Sequence, residues 1–226
     1  MDFEKMKSYF SDNGDWIGYF AFLLMVGGLI TLRVSTGIGI AVMILGFAVF
    51  AILCLLSVKK ISDDEYDSIV TKYADSLKSR AMSKLGVDES KVNEIAPIFM
   101  GGYDFEGADK FKQGNDKIWR SNVYKSIMLF FSRNELHCYT IRFKTTENLI
   151  LGEGTDVYFY QDIVSASTAS ESNKITIGGK ETIINSEVFR LTTKGGTSLT
   201  VNIIDSRHAQ ESVNAMRALL REKKSS

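Results

Sequence analysis

The chain has 226 residues and equal numbers of basic and acidic side chains, 27 lysines and arginines against 27 aspartates and glutamates. This balance leaves no global field of one sign, so we do not expect nucleic acid as a partner. The two cysteines lie in unlike settings, Cys54 in an apolar run and Cys138 in a later part of the chain, which predicts no disulfide between them.

Two runs near the N-terminus carry no charged residue. They cover residues 16–32 and 34–58, and only Arg33 separates them. Their lengths predict two membrane-spanning helices joined in a tight hairpin. A cleaved signal peptide is the alternative for the first run, but a second uninterrupted run follows at once and favours an anchor.

Basic residues flanking the two runs predict their orientation. Lysines lie before the first run and directly after the second, whereas a single arginine marks the turn. The positive-inside rule then places both termini in the cytoplasm of a multi-pass plasma-membrane protein. The residues expected at the membrane interface are Trp16, Tyr19, Arg33, Lys59 and Lys60.

The next segment has the start and stop signals of a helix. Ser62 and Glu65 have the spacing of a capping box, and Gly86 is a typical helix end. The apolar positions at helical spacing are Tyr66, Ile69, Val70, Tyr73, Leu77 and Leu85. We predict an amphipathic stalk helix whose apolar stripe packs on the following domain or on a second copy. Its mixed polar charges disfavour a lipid surface.

From Ile95 onward, short β segments alternate with turn residues and end in one helix. The predicted strands cover 95–99, 118–131, 136–143, 156–160, 164–170, 174–177, 188–193 and 198–204. Hairpin turns are expected at 133–134, 178–179 and 195–196. In the closing helix, the residues expected to share one face are Ala209, Val213, Met216 and Leu220.

This order of about seven or eight antiparallel strands and a closing helix resembles the pleckstrin-homology-like superfold, in particular the membrane-anchored bacterial members. The segments that carry the resemblance are FFSRNELHCYTIRF, residues 130–143, and VYFYQDIVSAS, residues 157–167. The resemblance implies a barrel or sandwich closed by the C-terminal helix. It carries no catalytic signature, and the superfold hosts many functions.

The expected fold class is therefore an α+β membrane protein with four parts. Residues 1–15 are a cytoplasmic segment, 16–58 the transmembrane hairpin, 59–92 the stalk helix and linker, and 93–226 the pleckstrin-homology-like β domain.

Residues suited to catalysis or metal binding are sparse. His137 and Cys138 are adjacent, so on a strand they point to opposite faces and cannot act as a nucleophile and base pair. We expect one of them to be buried, and His208 to be solvated at the start of the last helix. Metal-binding spacings such as Cys-x-x-Cys are absent from the sequence. We therefore predict no enzyme activity, no metal and no cofactor.

One basic cluster remains as a candidate ligand site. Its members are Lys110, Lys112, Lys117 and Arg120. In pleckstrin-homology domains the corresponding loop binds phosphoinositide head groups, so the resemblance implies a lipid head group as the ligand. Asp109 and Asp116 offset part of the charge, and a solvated loop is the favoured interpretation.

Together these features predict a non-enzymatic, membrane-anchored binding or scaffolding module with a cytoplasmic recognition domain that binds a protein or peptide. Its expected partners are the lipid bilayer and a protein, or a second copy associating through the hairpin or stalk. A sheet edge is one candidate surface. The alternative is a sensor whose β-barrel binds a small ligand such as a nucleotide messenger and whose hairpin oligomerises. A basic, aromatic-lined pocket at the open end of the barrel would favour that alternative.

Overall fold

The computed structural model describes residues 1–11, 19, 22–24, 26–27, 36–57, 61–204 and 206–225. The chain divides into two compact units, residues 2–62 and residues 63–226. In the first unit, α1 spans Phe3–Tyr9 and α2 spans Thr36–Ser57. The carboxylate of Asp2 caps α1 by accepting a hydrogen bond from the Lys5 N–H at 3.2 Å.

The predicted transmembrane hairpin is wrong. Among the helices in the described part of the chain, none is both long enough and apolar enough to cross a bilayer. Only short helical pieces of the first predicted span, 16–32, lie within the described residues, and the helix in the second, 34–58, begins at Thr36. A run without charges is necessary for a span, but a span also needs one continuous helix of sufficient length and apolarity. The predicted multi-pass plasma-membrane location and topology are corrected with the hairpin.

The predicted stalk helix consists of two helices, α3 (Asp63–Ser76) and α4 (Lys78–Leu85). The break between them lies at Leu77, whose N–H donates to the carbonyl of Ala74, three residues earlier, at 3.0 Å. This hydrogen bond tightens the last turn of α3. As predicted, Gly86 ends the second helix, and it does so in the left-handed conformation with φ of 67°. Both helices belong to the same compact unit as the strands that follow.

The described residues after α4 form nine strands and a final helix. The strands are β1 (Ile98–Tyr103), β2 (Phe111–Gln113), β3 (Trp119–Ser121), β4 (Val123–Phe131), β5 (Glu135–Lys144), β6 (Ile150–Phe159), β7 (Ile163–Ile177), β8 (Lys180–Thr193) and β9 (Ser198–Ile203). The last helix is α5 (Ser206–Ser225). The predicted glycine turn between β7 and β8 is present, with Gly178 and Gly179 both at positive φ.

The strands pair into two larger antiparallel sheets. The first has the order β1-β4-β5-β6 and the second the order β7-β8-β9, while β2 and β3 form a separate hairpin. The two sheets meet where β1 lies beside β9. There the Ile204 N–H donates to the Gly101 carbonyl at 3.3 Å, and the Asn202 side-chain amide donates to the Tyr103 carbonyl at 2.6 Å.

The main core lies between the two sheets and α5. Alternate residues of β4 and β5 face this core, among them Ile127, Leu129, Phe131, Leu136 and Cys138. The predicted apolar face of the closing helix is confirmed, because Ala209, Val213, Met216 and Leu220 are all buried in the same core. Removing these apolar side chains from water is the main force that holds the sheets together.

The opposite face of the first sheet also carries buried side chains. In α3 and α4 the buried residues are Tyr66, Val70, Ala74 and Ala81. The rings of Tyr73 and Phe143 pack edge to face with centroids 5.0 Å apart, which fixes α3 against β5. The apolar stripe therefore packs on its own domain. As a result, β4 is buried on both faces, and Lys125 is the one residue of the strand that is not fully buried.

Candidate functional site: an open sheet edge

The predicted basic cluster lies on and beside the β2–β3 hairpin, but it is not one free basic surface. Lys112 and Arg120 are cross-strand partners, and Lys117 adopts a positive φ of 67° in the turn. Lys110 and Lys112 are half-buried and Lys117 is exposed, whereas Arg120 is only 1% exposed. Head-group binding by this loop stays a prediction, and Arg120 would take no direct part in it.

Arg120 instead connects the hairpin to α3. Its Nε and Nη2 donate to the two carboxylate oxygens of Asp67 at 2.7 Å, and its Nη1 and Nη2 donate to Asp116 at 3.0 and 2.7 Å. The Tyr103 hydroxyl also donates to Asp67 at 2.5 Å. The hydrogen bond from Arg120 holds the pKa of Asp116 below its usual range. Gly114 is required beside this cluster because a Cβ there would lie 2.5 Å from Nη1 of Arg120.

Most of the residues predicted at a membrane interface cannot be placed. Trp16, Arg33, Lys59 and Lys60 lie outside the described residues. Tyr19 is described and strongly exposed.

His137 and Cys138 lie on opposite faces of β5, as their adjacency predicted. Both are buried, although only one was expected to be. Cys138 belongs to the main core, where burial raises the pKa of its thiol to about 12. The Nδ1 atom of His137 has no hydrogen-bond partner among the described residues, and its Nε2 lies 3.4 Å from the Glu135 carboxylate. His208 is exposed at the start of α5.

The β7 edge is covered by α5 along the first part of the strand. Arg217 Nε donates to the Ala166 carbonyl at 2.7 Å, and Lys224 Nζ donates to the Ile163 carbonyl. The Thr168 hydroxyl donates to the Gln210 side chain at 3.0 Å. The two basic side chains thus occupy backbone carbonyls of β7 that an additional strand would need.

The β6 edge is open. β5 pairs with one side of β6, and no strand in the described part of the chain pairs with the other side. Eight of its ten residues are exposed. The exposed apolar side chains are Ile150, Leu151, Val157 and Phe159, of which the last two are 50% and 59% exposed. The strand contains no lysine, arginine or proline, the residues that commonly protect an edge from pairing.

β6 is held rigidly against the helices by one carboxylate. Glu153 accepts hydrogen bonds from Arg80 Nε and Nη2 of α4, both at 2.8 Å, and from the Tyr139 hydroxyl of β5 at 2.6 Å. The hydrogen bonds from Arg80, with that from Tyr139 second, lower the pKa of Glu153 to about 2. The edge strand is thus fixed from behind while its outer side stays open.

Two glycines in β6 are not explained by the fold of this chain. A Cβ at Gly152 or Gly154 would meet no atom of the described residues within 4 Å, and neither glycine has a positive φ. Glycine weakens a strand, and in a strand interior it often marks the close approach of another backbone or a ligand.

Sequence reasoning found only the end of this edge. The segment 156–160 was predicted as a strand, but the sequence Gly152-Glu153-Gly154 has no apolar alternation and was not included. The alternation of Val157, Tyr158 and Phe159 was the one signal available.

Comparisons with known proteins add no relative: no family model, no curated protein and no solved structure matches the chain.

Proposed function

We propose that residues 63–225 form a non-enzymatic binding module of the pleckstrin-homology-like kind, which takes up an extended segment of a partner protein along β6. The observation that carries the proposal is the open outer edge of β6 with its exposed Val157 and Phe159. The four-stranded and three-stranded sheets and the terminal helix, in this order, support the pleckstrin-homology-like part of the proposal.

An added strand would gain two kinds of interaction. Its backbone would pair with the unpaired N–H and C=O groups of β6, which gives affinity with little dependence on sequence. Its alternate side chains would pack beside Val157 and Phe159, which lie on the same face of the sheet as Glu153. The partner segment should therefore carry apolar residues at every second position.

The strand is preorganised for this role. The Arg80–Glu153 contact and the continuous pairing of Gly152 to Phe159 with β5 fix the backbone before a partner arrives. Binding to a rigid edge avoids the entropy loss of ordering it, so more of the interaction energy appears as affinity.

The small-ligand sensor is supported less well. A cleft lined by residues of β4, β7, β8 and β9 has a volume of about 450 Å³. Two lysines, Lys125 and Lys174, line it together with three acidic residues, Asp104, Glu106 and Glu171. Asp104 and Glu171 are already paired with Arg142 and Arg190. Phe105 is the one aromatic residue among those that line the cleft, so the cleft offers little surface on which a nucleotide base could stack.

The proposal is tested by selecting peptides from a random display library on the full chain. We expect the selected peptides to alternate apolar and polar residues, and their binding to slow amide exchange at alternate residues of β6. Val157→Lys and Phe159→Lys should each weaken a selected peptide by about tenfold or more, which is about 1.4 kcal/mol. Val164→Lys is the matched control, because Val164 is equally exposed but lies in β7.

A second variant separates binding from folding. Gly154→Val should raise the free energy of unfolding by about 0.5–1 kcal/mol, since it removes a flexible residue from a strand without a clash. The same variant should leave the peptide affinity almost unchanged, because Gly154 lies on the face of β6 opposite to Val157 and Phe159 and its side chain does not cover the edge. Selected peptides whose affinity is unchanged by both Val157→Lys and Phe159→Lys would overturn the proposal. Concentration-dependent dimers broken by Val157→Lys would show instead that a second copy occupies the edge.

A further inference from the structure

A second site, separate from β6, lies between α3, β1, β9 and the start of α5. It is a cavity of about 550 Å³, within the size range of small-molecule binding sites. Its apolar lining residues are Ala74, Phe99, Met100, Ile203, Ile204 and Ala209. The cavity is therefore shaped to take an apolar body larger than a single water molecule.

The cavity also has a polar lining residue whose hydroxyl is already hydrogen-bonded. Ser126 Oγ donates to the Met100 carbonyl at 3.2 Å. Gly101 is required in this lining, because a Cβ there would lie 2.7 Å from the Tyr124 ring. The charged residues at the rim therefore determine which polar group of a ligand is bound.

The charge at the rim is negative. Asp75 and Lys78 both line the cavity, but Lys78 Nζ donates to Glu89 at 2.5 Å, so its charge is already balanced. Partial burial raises the pKa of Asp75, and the nearby His208 offsets part of that rise. The Asp75 side chain remains exposed to solvent and lines the apolar cavity, so a cation bound there is its best partner.

We propose that this cavity binds a small apolar molecule that carries a protonated amine. The apolar body lies between Phe99 and Ile204, and the ammonium group forms a charge-assisted hydrogen bond with the Asp75 carboxylate. An anionic ligand would face the Asp75 charge at close range, and a neutral one would forgo the ionic contact.

Three probes with the same apolar body test this site on the full chain: phenylbutylamine, phenylbutanol and phenylbutyrate, titrated by calorimetry. We expect the amine to bind about tenfold more tightly than the alcohol, a difference of about 1.4 kcal/mol, and the carboxylate to bind weakest. Bound amine should also raise the melting temperature, because it binds only the folded state.

Two variants and one control sharpen the result. Asp75→Asn should reduce the affinity for the amine to that for the alcohol and leave the alcohol unchanged. Asp64→Asn removes another exposed carboxylate of α3 that does not line the cavity, and it should change nothing. Ile204→Trp, which places an indole across the cavity, should abolish binding of all three probes.

Equal affinities for amine and alcohol would overturn the proposal, as would tightest binding of the carboxylate or no saturable binding of any probe. Because neither Asp75 nor Ile204 belongs to β6, these outcomes leave the peptide-binding proposal untouched.

Discussion

β6 and β7 follow one another in the chain, and both are outer strands, yet their edges differ. Arg217 and Lys224 of α5 donate to two carbonyls of β7, whereas β6 keeps its outer edge unpaired within the described residues. Each strand is fixed on its inner side by regular pairing, with β5 and β8 respectively. The comparison shows that long basic side chains on one helix can cover the first part of an edge strand, and that α5 covers β7 in this way but not β6.

The covered edge of β7 depends on α5, so a change that removes α5 from the core should lower the stability of the fold most. Met216→Asp places an unpaired charge at a fully buried position, and we expect the free energy of unfolding to fall by about 3 kcal/mol or more. Chemical denaturation measures the change. Ala215→Asp, on the exposed side of the same helix, is the control and should leave stability almost unchanged. A melting temperature for Met216→Asp close to that of the wild type would show that α5 is not part of the core.

A smaller change should uncover β7 without unfolding the domain. Arg217→Met removes the donor to the Ala166 carbonyl and keeps most of the apolar side-chain volume. We expect a loss of about 1–2 kcal/mol, typical of a hydrogen bond made by a charged group. Amide exchange should quicken in β7 and remain unchanged in β6. Arg221→Met, an exposed position on α5, serves as the control. Faster exchange in β6 instead would mean that the two edges are not independently protected.

The smallest expected change in stability comes from the contact between Glu153 of β6 and Arg80 of α4. Because the folded-state pKa of Glu153 is about 2, below its ordinary value, the Arg80–Glu153 contact stabilises the fold at neutral pH. That contribution is fully present above about pH 4.5 and is lost as the pH falls toward 2.

Glu153→Gln should therefore lower stability by about 1 kcal/mol at neutral pH, since the partner Arg80 is partly exposed and screened by solvent. The difference from wild type should disappear near pH 2. The free energy of unfolding, measured across this pH range, checks both statements. Glu181→Gln, at an exposed position of β8, is the control. A constant difference at all pH values would exclude the ionic contact as its cause.

The spacing of apolar residues was enough to predict the buried side of an element that buries only one face. The spacing of Val213, Met216 and Leu220 predicted the inner face of α5, and Gly86 and Gly178 marked their turns because only glycine adopts these backbone conformations cheaply. These features depend on residues close together in the chain.

Features that depend on distant partners were missed. The predicted strand 118–131 is interrupted at Asn122, whose side-chain oxygen accepts hydrogen bonds from the N–H groups of Asp109 and Lys110, both at 3.2 Å. β6 begins at Ile150 because β5 supplies a pairing partner, which no local pattern at Gly152 reveals. Arg120 was predicted as a ligand contact because the sequence does not reveal its true partner. That partner, Asp67, lies far away in the sequence and meets Arg120 only in the fold.

β4 has a consequence for how the chain tolerates change. Eight of its nine residues are buried, some in the main core and the others on the opposite face of the sheet, so neither face of the strand is turned to solvent. In a scan of all single substitutions, an ordinary surface strand gives an every-second-residue pattern of tolerance. β4 should give an unbroken block of intolerant positions, with relief only at Lys125. Sequences that drift apart elsewhere should retain this block longest, and it is the segment by which remote relatives of the chain would first be recognised.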